Sequence, residues 1–190
     1  MGFLDTILGR TKPVAPNLDA LFALPSAALT LQAAMDTQPT GTGSVCFRAA
    51  EGRAFSDIEK DVKDLLAMGS GAGNVEVSAD SYGFTWLVCR HAADDIEGLV
   101  TDMHAVNSSL ENGGFGPQLL CTMLGFRTSA GRSLGLVYLY KRGTFYPFAP
   151  AGDQRRDSAL EMQVRGALGN DLKIESDLGR WFPVWGAPGL

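Results

Sequence analysis

The sequence is short of the residues from which most active sites and disulfide frameworks are built. It has two histidines, a charged fraction of 19%, and three cysteines, Cys46, Cys89 and Cys121, that lie far apart. An odd number of widely spaced cysteines indicates free thiols in a reducing compartment. There is no run of 18 apolar residues, and the N-terminus has no basic region followed by an apolar one. We therefore expect a cytoplasmic protein with neither a membrane span nor an export signal.

Positive charge is also scarce. The chain has 16 Lys and Arg against 21 Asp and Glu, a net charge of -5, and its longest basic runs are the pairs Lys141-Arg142 and Arg155-Arg156. The average field of such a chain repels nucleic acid and anionic lipid surfaces, so we expect no nucleic-acid partner. Both basic pairs are typical of solvated turns.

Few residues are candidates for chemistry. Cys89 and His91 are two apart, which places them on one face of a strand, and Cys46 and Cys121 could in principle complete a metal site with them. The compact Cys-x-x-Cys spacing is missing, so we expect no metal and no other cofactor. No Gly-x-Ser-x-Gly motif is present, which favours a protein that is not an enzyme. The alternative is a small-molecule-binding domain or an unrecognised hydrolase that uses the Cys89/His91 region.

Residues 1–12 predict a short amphipathic helix. Its apolar residues share one helical face: Phe3, Leu4, Ile7 and Leu8. Residues 13–16 predict an extended linker because Pro13 and Pro16 do not continue a helix. Residues 17–190 then predict one α+β domain, since the length is close to that of a single domain. The helix has almost no basic face, which favours docking on a partner helix over insertion into lipid.

Hairpins and helices alternate along the rest of the chain. Asn17 is expected to cap a short helix that ends at Pro25, and later helices are expected to start at capping pairs: Ser56 with Glu59, Asp94 with Glu97, and Ser158 with Glu161. The predicted strands pair as 29–33 with 45–47 around a turn at 39–43, 74–79 with 83–90, and 119–127 with 133–141. The Ala-rich stretch at 29–33 equally fits a helix. Together these elements predict an α+β fold, an antiparallel sheet with packed helices.

The predicted strands are apolar on both faces. In the strand at 84–90, Phe84, Trp86 and Val88 share one face, and Leu87 and Cys89 share the other. A sheet with one face in water would alternate between apolar and polar residues. Either helices of this chain cover both faces, or a second subunit or a partner covers one of them, which leaves a homodimer open.

The segment 179–190 holds two of the three tryptophans. Such a segment is either a tail folded over the core or a recognition surface, because Trp and Arg are enriched at binding hot spots. Phe115, in a glycine-rich loop, is a further candidate contact. The candidate partner-binding residues are therefore Phe3, Leu4, Ile7, Leu8, Phe115, Arg180, Trp181, Phe182 and Trp185.

Three segments carry a family resemblance: MGFLDTILGR at the start, PNLDALFALPSAA from Pro16 to Ala28, and RWFPVW from Arg180 to Trp185. Together they resemble the actinobacterial family of PspA-associated proteins, PspAB. The resemblance implies a non-enzymatic accessory or adaptor protein of the PspA envelope stress response, with PspA or another coiled-coil protein as its partner and a peripheral position at the membrane through that partner. The layout of hairpins and helices also resembles the YbjN or type III secretion chaperone-like fold, by analogy of fold.

Overall fold

The structure, a computed structural model, describes residues 16–48 and 75–190 together with Lys60 and Asp64. Within these residues six strands form one sheet: β1 (Thr37–Arg48), β2 (Glu76–Ala79), β3 (Phe84–Arg90), β4 (Leu119–Thr128), β5 (Ser133–Leu139) and β6 (Thr144–Phe148). The α-helices are α1 (Leu24–Met35), α2 (Ile96–Leu110) and α3 (Ser158–Leu168). Short helical turns lie at Leu18–Ala23, Glu111–Phe115, Gly116–Gln118 and Leu178–Arg180.

The sheet has the strand order β2-β3-β1-β4-β5-β6, and each pair of neighbours is antiparallel. The predicted α+β class is therefore confirmed. The predicted pairs at 74–79 with 83–90 and at 119–127 with 133–141 correspond to β2 with β3 and to β4 with β5. β6 has no counterpart among the predicted strands.

The first predicted hairpin is wrong. Residues 29–33 lie in α1, as the helical alternative has it, and 39–43 lie inside β1 rather than in a turn. Pro25 lies in the first turn of α1 instead of ending a helix, because the N–H that proline lacks would have no partner within the helix in that turn. β1 pairs with β3 and β4, and its ladder with β4 is interrupted between Pro39 and Gly43. Gly41, at φ 73°, supplies the left-handed residue in this irregular stretch.

Two helix caps lie one residue away from the predicted positions. The side chain of Asp95, not Asp94, accepts the Gly98 N–H at 3.0 Å and caps α2. That of Asp157, not Ser158, accepts the Leu160 N–H at 3.0 Å and caps α3. The predicted helix from Ser56 lies outside the described residues except for Lys60 and Asp64, which are both helical.

The three helices pack on one face of the sheet and form what we call the helix-side core. Its fully buried members include Leu21, Leu31, Leu87, Cys89, Leu99, Val106, Phe126, Tyr138 and Val164. A buried amide joins helix to sheet, because Asn107 Nδ2 of α2 donates to Thr122 Oγ1 of β4 at 2.9 Å. This pairing satisfies two polar groups that would otherwise be costly to bury.

One described segment, Leu18–Met35, is long and apolar enough by length and composition to cross a membrane. In the structure it comprises a helical turn followed by α1, and it places Leu21, Leu24 and Leu31 in the helix-side core. A core helix passes the same test of length and composition, so the segment does not amount to a clear membrane span.

The opposite face of the sheet is covered by residues 175–190, which we call the tail. The sheet contributes Cys46, Trp86, Val88, Met123, Val137, Tyr146 and Phe148 to this tail-side core, and the tail contributes Trp181 and Ala187. The expectation that helices cover both faces is wrong for the described residues, because helices cover one face and the tail covers the other. A tail folded over the core is confirmed.

The tail lies close against the backbone of the sheet. Ser44 Oγ of β1 donates to the Pro188 carbonyl at 3.4 Å. At Gly125 of β4, a Cβ atom would lie 2.3 Å from the carbonyl oxygen of Gly189. Glycine at position 125 therefore leaves the space that the tail occupies.

Candidate functional site: an apolar pocket between sheet and tail

The tail is anchored at Trp181. Its side chain is 4% exposed and stacks on Tyr146 with ring centroids 6.0 Å apart. The Trp181 indole Nε1 donates to the Glu175 carbonyl at 3.0 Å, and the Tyr146 hydroxyl donates to the Phe182 carbonyl at 2.7 Å. Both polar atoms of these buried rings thus bond to the tail itself, which fixes its path over the sheet.

An arginine and a glutamate fasten the same part of the tail to α3. Arg156 Nε donates to both carboxylate oxygens of Glu161, at 2.9 and 3.1 Å, and another guanidinium nitrogen donates to the Trp181 carbonyl. Glu161 is buried and also accepts the Ala149 N–H at 2.9 Å. The guanidinium lies 5.1 Å from the centre of the Phe148 ring, so it combines ionic, hydrogen-bonding and aromatic contacts.

Glu175 anchors the start of the tail. Burial raises the pKa of this carboxyl, but hydrogen bonds from the Asp177 N–H, the Thr144 hydroxyl and Arg142 outweigh it, and the pKa is lowered. The Thr144 contact is 3.0 Å and the Arg142 contact is 3.2 Å. The buried carboxylate is therefore held charged, and it connects the tail to the turn between β5 and β6.

Between the sheet and the anchored tail lies an apolar pocket of about 700 Å³. Its floor is formed by the sheet residues Cys46, Trp86, Cys121, Leu139 and Tyr146, and its wall by the tail residues Phe182, Pro183, Val184 and Trp185. Phe148 holds the wall in place, since its ring meets that of Trp185 edge-on at 4.8 Å. The pocket is thus bounded by two rigidly packed elements.

Basic side chains line the mouth of the pocket: Arg48, Lys141, Arg142 and Arg180. Arg142 pairs with Glu175, and Arg180 pairs with Asp177 at 3.0 Å. Lys141 Nζ donates to the Pro117 carbonyl at 2.9 Å. The pair Lys141-Arg142, expected to be solvated turn residues, therefore belongs to this cationic rim.

Asp80 is the acidic residue among the described residues that line the pocket. Its carboxylate accepts the backbone N–H groups of Tyr82 and Phe84 at 2.8 and 3.0 Å, and Trp86 Nε1 at 2.9 Å. Burial raises the pKa of Asp80, but these hydrogen bonds outweigh it and the pKa is lowered. The negative charge of Asp80 thus stabilises the β2–β3 turn and holds the Trp86 ring in place.

Two of the cysteines face each other on the pocket floor. Cys46 of β1 is directly opposite Cys121 of β4. A hydrogen bond with the Cys121 thiol, and then burial, raise the pKa of Cys46 well above its ordinary range. Cys46 therefore remains a protonated thiol at neutral pH, and a protonated thiol is a weak nucleophile.

Cys89 and His91 do not form a joint site with these cysteines. Cys89 is fully buried in the helix-side core, on the other face of the sheet, and burial raises its pKa to about 12. His91 lies between two carboxylates, with Asp95 and Asp102 each 2.7 Å from a ring nitrogen. Within the described part of the chain, no group of three or more His, Cys, Asp or Glu residues is placed to hold a metal ion.

The candidate contact residues fall into three groups. Phe3, Leu4, Ile7 and Leu8 lie outside the described residues. Phe115 is half-buried against the helix-side core, and Trp181 is the buried anchor of the tail. Arg180, Phe182 and Trp185 line the pocket, so the structure brings these three together.

Sequence reasoning missed the sheet half of the pocket. Trp86, Cys46 and Leu139 are distant in sequence and meet through strand pairing across β3, β1, β4 and β5. One signal was present, because the predicted strands are apolar on both faces. This pattern predicts that both faces of the sheet are covered. It identifies neither the segment that covers the second face nor the pocket between that segment and the sheet.

A family model described as PspA associated protein B matches residues 1–189, which is essentially the whole chain. No curated protein and no solved structure matches the chain significantly. The likeness to the YbjN or type III secretion chaperone-like fold therefore stays a prediction.

Proposed function

The chain belongs to the PspA associated protein B family, and from this premise we propose that it is a non-enzymatic adaptor of the PspA envelope stress response. In this proposal it acts in the cytoplasm by binding PspA or another coiled-coil protein, and it reaches the membrane through that partner. The family description supports an accessory role beside PspA. The tail supports binding as the mode of action.

One observation carries the binding proposal: two large apolar side chains stand exposed on a segment that is otherwise firmly anchored. Leu178 is 51% exposed and Phe182 is 58% exposed, while Trp181 between them is buried. Apolar anchors that are already held in place lose little conformational freedom on binding, which favours affinity. Arg180, between the two, can add a charge-assisted contact to a carboxylate of the partner.

Residues 1–12 offer a second contact in this proposal. The apolar face formed by Phe3, Leu4, Ile7 and Leu8 is suited to a seam on a coiled-coil partner, since such helices present apolar stripes at matching spacing. The tail and the helix predicted for residues 1–12 would then contribute jointly, and joint contacts raise the overall affinity above that of either contact alone.

Titration of purified PspA with the full chain tests the proposal. We expect Phe182→Ala and Leu178→Ala each to weaken binding about tenfold, which is typical of an interface anchor. Leu29→Ala is the matched control, because Leu29 is 67% exposed but lies on α1 at the helix side of the sheet. A chain lacking residues 1–12 tests the second contact.

The proposal fails if the wild-type chain does not bind PspA in this titration. The assignment of the tail fails if Phe182→Ala and Leu29→Ala bind equally well. In that case the binding surface lies elsewhere on the chain.

A further inference from the structure

We propose that the pocket between sheet and tail binds a single-chain amphiphile with an anionic head group, of the fatty-acid class, taken up as a monomer. The alkyl chain would lie on the floor formed by Cys46, Trp86 and Leu139, and the head group would lie at the cationic rim. This is a ligand site in its own right and does not depend on the binding of PspA.

The size and lining of the pocket fit an alkyl chain. A volume of about 700 Å³ lies within the range of small-molecule sites, which are mostly apolar with a few polar groups that fix orientation. Carbon and aromatic surfaces of Leu120, Phe84, Val184 and Trp185 surround the floor. An apolar chain placed there is removed from water on several sides, and this burial is the main source of its affinity.

The polar atoms of the floor are already engaged. The Tyr146 hydroxyl donates to the Phe182 carbonyl, and Trp86 Nε1 donates to Asp80. The free thiols of Cys46 and Cys121 are hydrogen-bonded to each other. A polar ligand such as a sugar or a nucleobase would lose its water bonds on entering and would find these partners occupied, so the floor selects against it.

The charge of the mouth selects the head group. Arg48, Lys141, Arg142 and Arg180 surround it, although the chain as a whole carries a net charge of -5. Arg48 makes no ion pair with any residue that the structure describes, and Lys141 bonds to a carbonyl rather than to a carboxylate. Both can therefore accept a carboxylate head group without breaking an ion pair among the residues 16–48 and 75–190.

The charge distribution of the chain favours uptake of a ligand monomer from solution over docking of the protein on a lipid bilayer. A chain of net charge -5 is repelled by an anionic membrane surface at long range. The four basic residues, in contrast, act at short range on a head group already at the mouth.

Two probes of equal chain length test the pocket: laurate, kept below its critical micelle concentration, and the uncharged 1-dodecanol. Binding is followed by calorimetry and by the fluorescence of the tryptophans, because Trp86 and Trp185 line the pocket. We expect saturable binding of laurate that is at least tenfold tighter than that of dodecanol. Absence of laurate binding, or equal affinity for the two probes, would overturn the proposal.

Variants locate the site. The double variant Arg48→Glu with Lys141→Glu should lose tenfold or more in laurate affinity and keep its dodecanol affinity. Arg155→Glu is the control and should leave both affinities unchanged, because the Arg155 side chain is 73% exposed and does not line the pocket.

Leu139→Trp should fill the floor and prevent binding of both probes. Because Leu139 is nearly buried, Val184→Trp on the half-exposed wall serves as a second filling variant, and circular dichroism checks that each variant is folded.

Unchanged laurate binding in a folded, filled variant would overturn the proposal. Phosphatidylglycerol vesicles are a further probe: binding of vesicles without binding of laurate would indicate a surface interaction and would also overturn it. The rim variants leave Leu178 and Phe182 intact, so the PspA titration on the same proteins shows separately whether the adaptor function holds.

Discussion

At the scale of single residues, two adjacent arginines have opposite surroundings. Arg155 is 73% exposed and lies 3.7 Å from the exposed Asp153, an arrangement that contributes little to stability. Arg156 is 22% exposed and is bonded to the buried Glu161 and to the tail. The expectation that both are solvated turn residues is therefore wrong for Arg156. A sequence of two arginines does not show which of them turns inward.

Replacing Arg156 tests this difference. Arg156→Ala leaves Glu161 buried without its cation and the Trp181 carbonyl without its donor, and we expect it to lower the free energy of unfolding by about 3 kcal/mol or more. Arg155→Ala is the adjacent control and should change it by less than about 0.5 kcal/mol. Urea denaturation measures both. Similar losses in the two variants would contradict the anchoring role of Arg156.

His91 makes stability depend on pH. Burial lowers the pKa of its imidazole, but the hydrogen bonds that the ring donates to Asp102 and Asp95 outweigh burial, and the pKa is raised. The protonated ring therefore stabilises the folded chain fully below its ordinary pKa of about 6.5, and this contribution is lost as the pH rises through the raised value. Asp95 also caps α2, so the contact between His91 and Asp95 lies at the start of that helix.

Unfolding measured from about pH 6 to pH 8 tests the role of His91. The wild-type chain should lose stability from this group as the pH rises, and His91→Gln should flatten that part of the profile. A slope that persists in His91→Gln would assign the pH dependence to another group.

At the scale of elements, the contact between β4 and the tail depends on the absence of a side chain. A methyl group at Gly125 would meet the Gly189 carbonyl oxygen at 2.3 Å, a contact that requires the backbone of the tail to move. We expect Gly125→Ala to cost about 1–3 kcal/mol, the range of an overpacked interior. The fluorescence of Trp181 should shift to longer wavelength if the tail moves away from the sheet.

Gly166 provides the matched substitution. It lies in α3, and a Cβ atom there would meet nothing within 4 Å. Gly166→Ala should therefore stabilise the chain by about 0.4–1 kcal/mol, because alanine loses less backbone entropy in a helix. If both glycine substitutions shifted the unfolding midpoint in the same direction, the close approach of the Gly189 carbonyl would not be what determines the stability of the Gly125→Ala variant.

The elements that sequence reasoning predicted are those with a local signal. The hairpin of β4 and β5 and the long helix α2 follow from alternation, helical spacing and a nearby acidic cap. β1 was misassigned because its partners β3 and β4 are distant in sequence, while the glycines at 41 and 43 resemble a local turn. The apolar residues on both faces of β3 are visible in the sequence, but the tail that covers the second face is 85 residues away or more.

At the scale of the whole molecule, one sheet separates two cores of different construction. Helices supply one, and the tail, without any α-helix, supplies the other. The tail occupies the sheet face that a face-to-face homodimer would use. Sequence reasoning named Arg180, Phe182 and Trp185 from their residue types, but the pocket beside them depends on the three-dimensional path of the tail.

Removing residues 181–190 tests the covering role of the tail. The truncated chain should expose Trp86, Val137 and Phe148, bind the apolar dye ANS and associate with increasing concentration in light scattering. Phe182→Ala in the full chain is the control and should stay at the wild-type mass, because its side chain is exposed and the Trp181 anchor remains. A truncated chain that neither binds the dye nor associates would show that the tail is dispensable for covering the sheet.

The tail also has a consequence for biosynthesis. Ser44 and Pro188, which bond across the tail-side core, are separated by 144 residues. Ribosomes add about 5–20 residues per second, so all six strands emerge some seconds before residues 181–190 can close over them. During that interval the nascent chain presents an apolar sheet face, which is the kind of surface that molecular chaperones bind. The yield of this protein in a cell should therefore depend more strongly on chaperone supply than the stability of the finished fold would suggest.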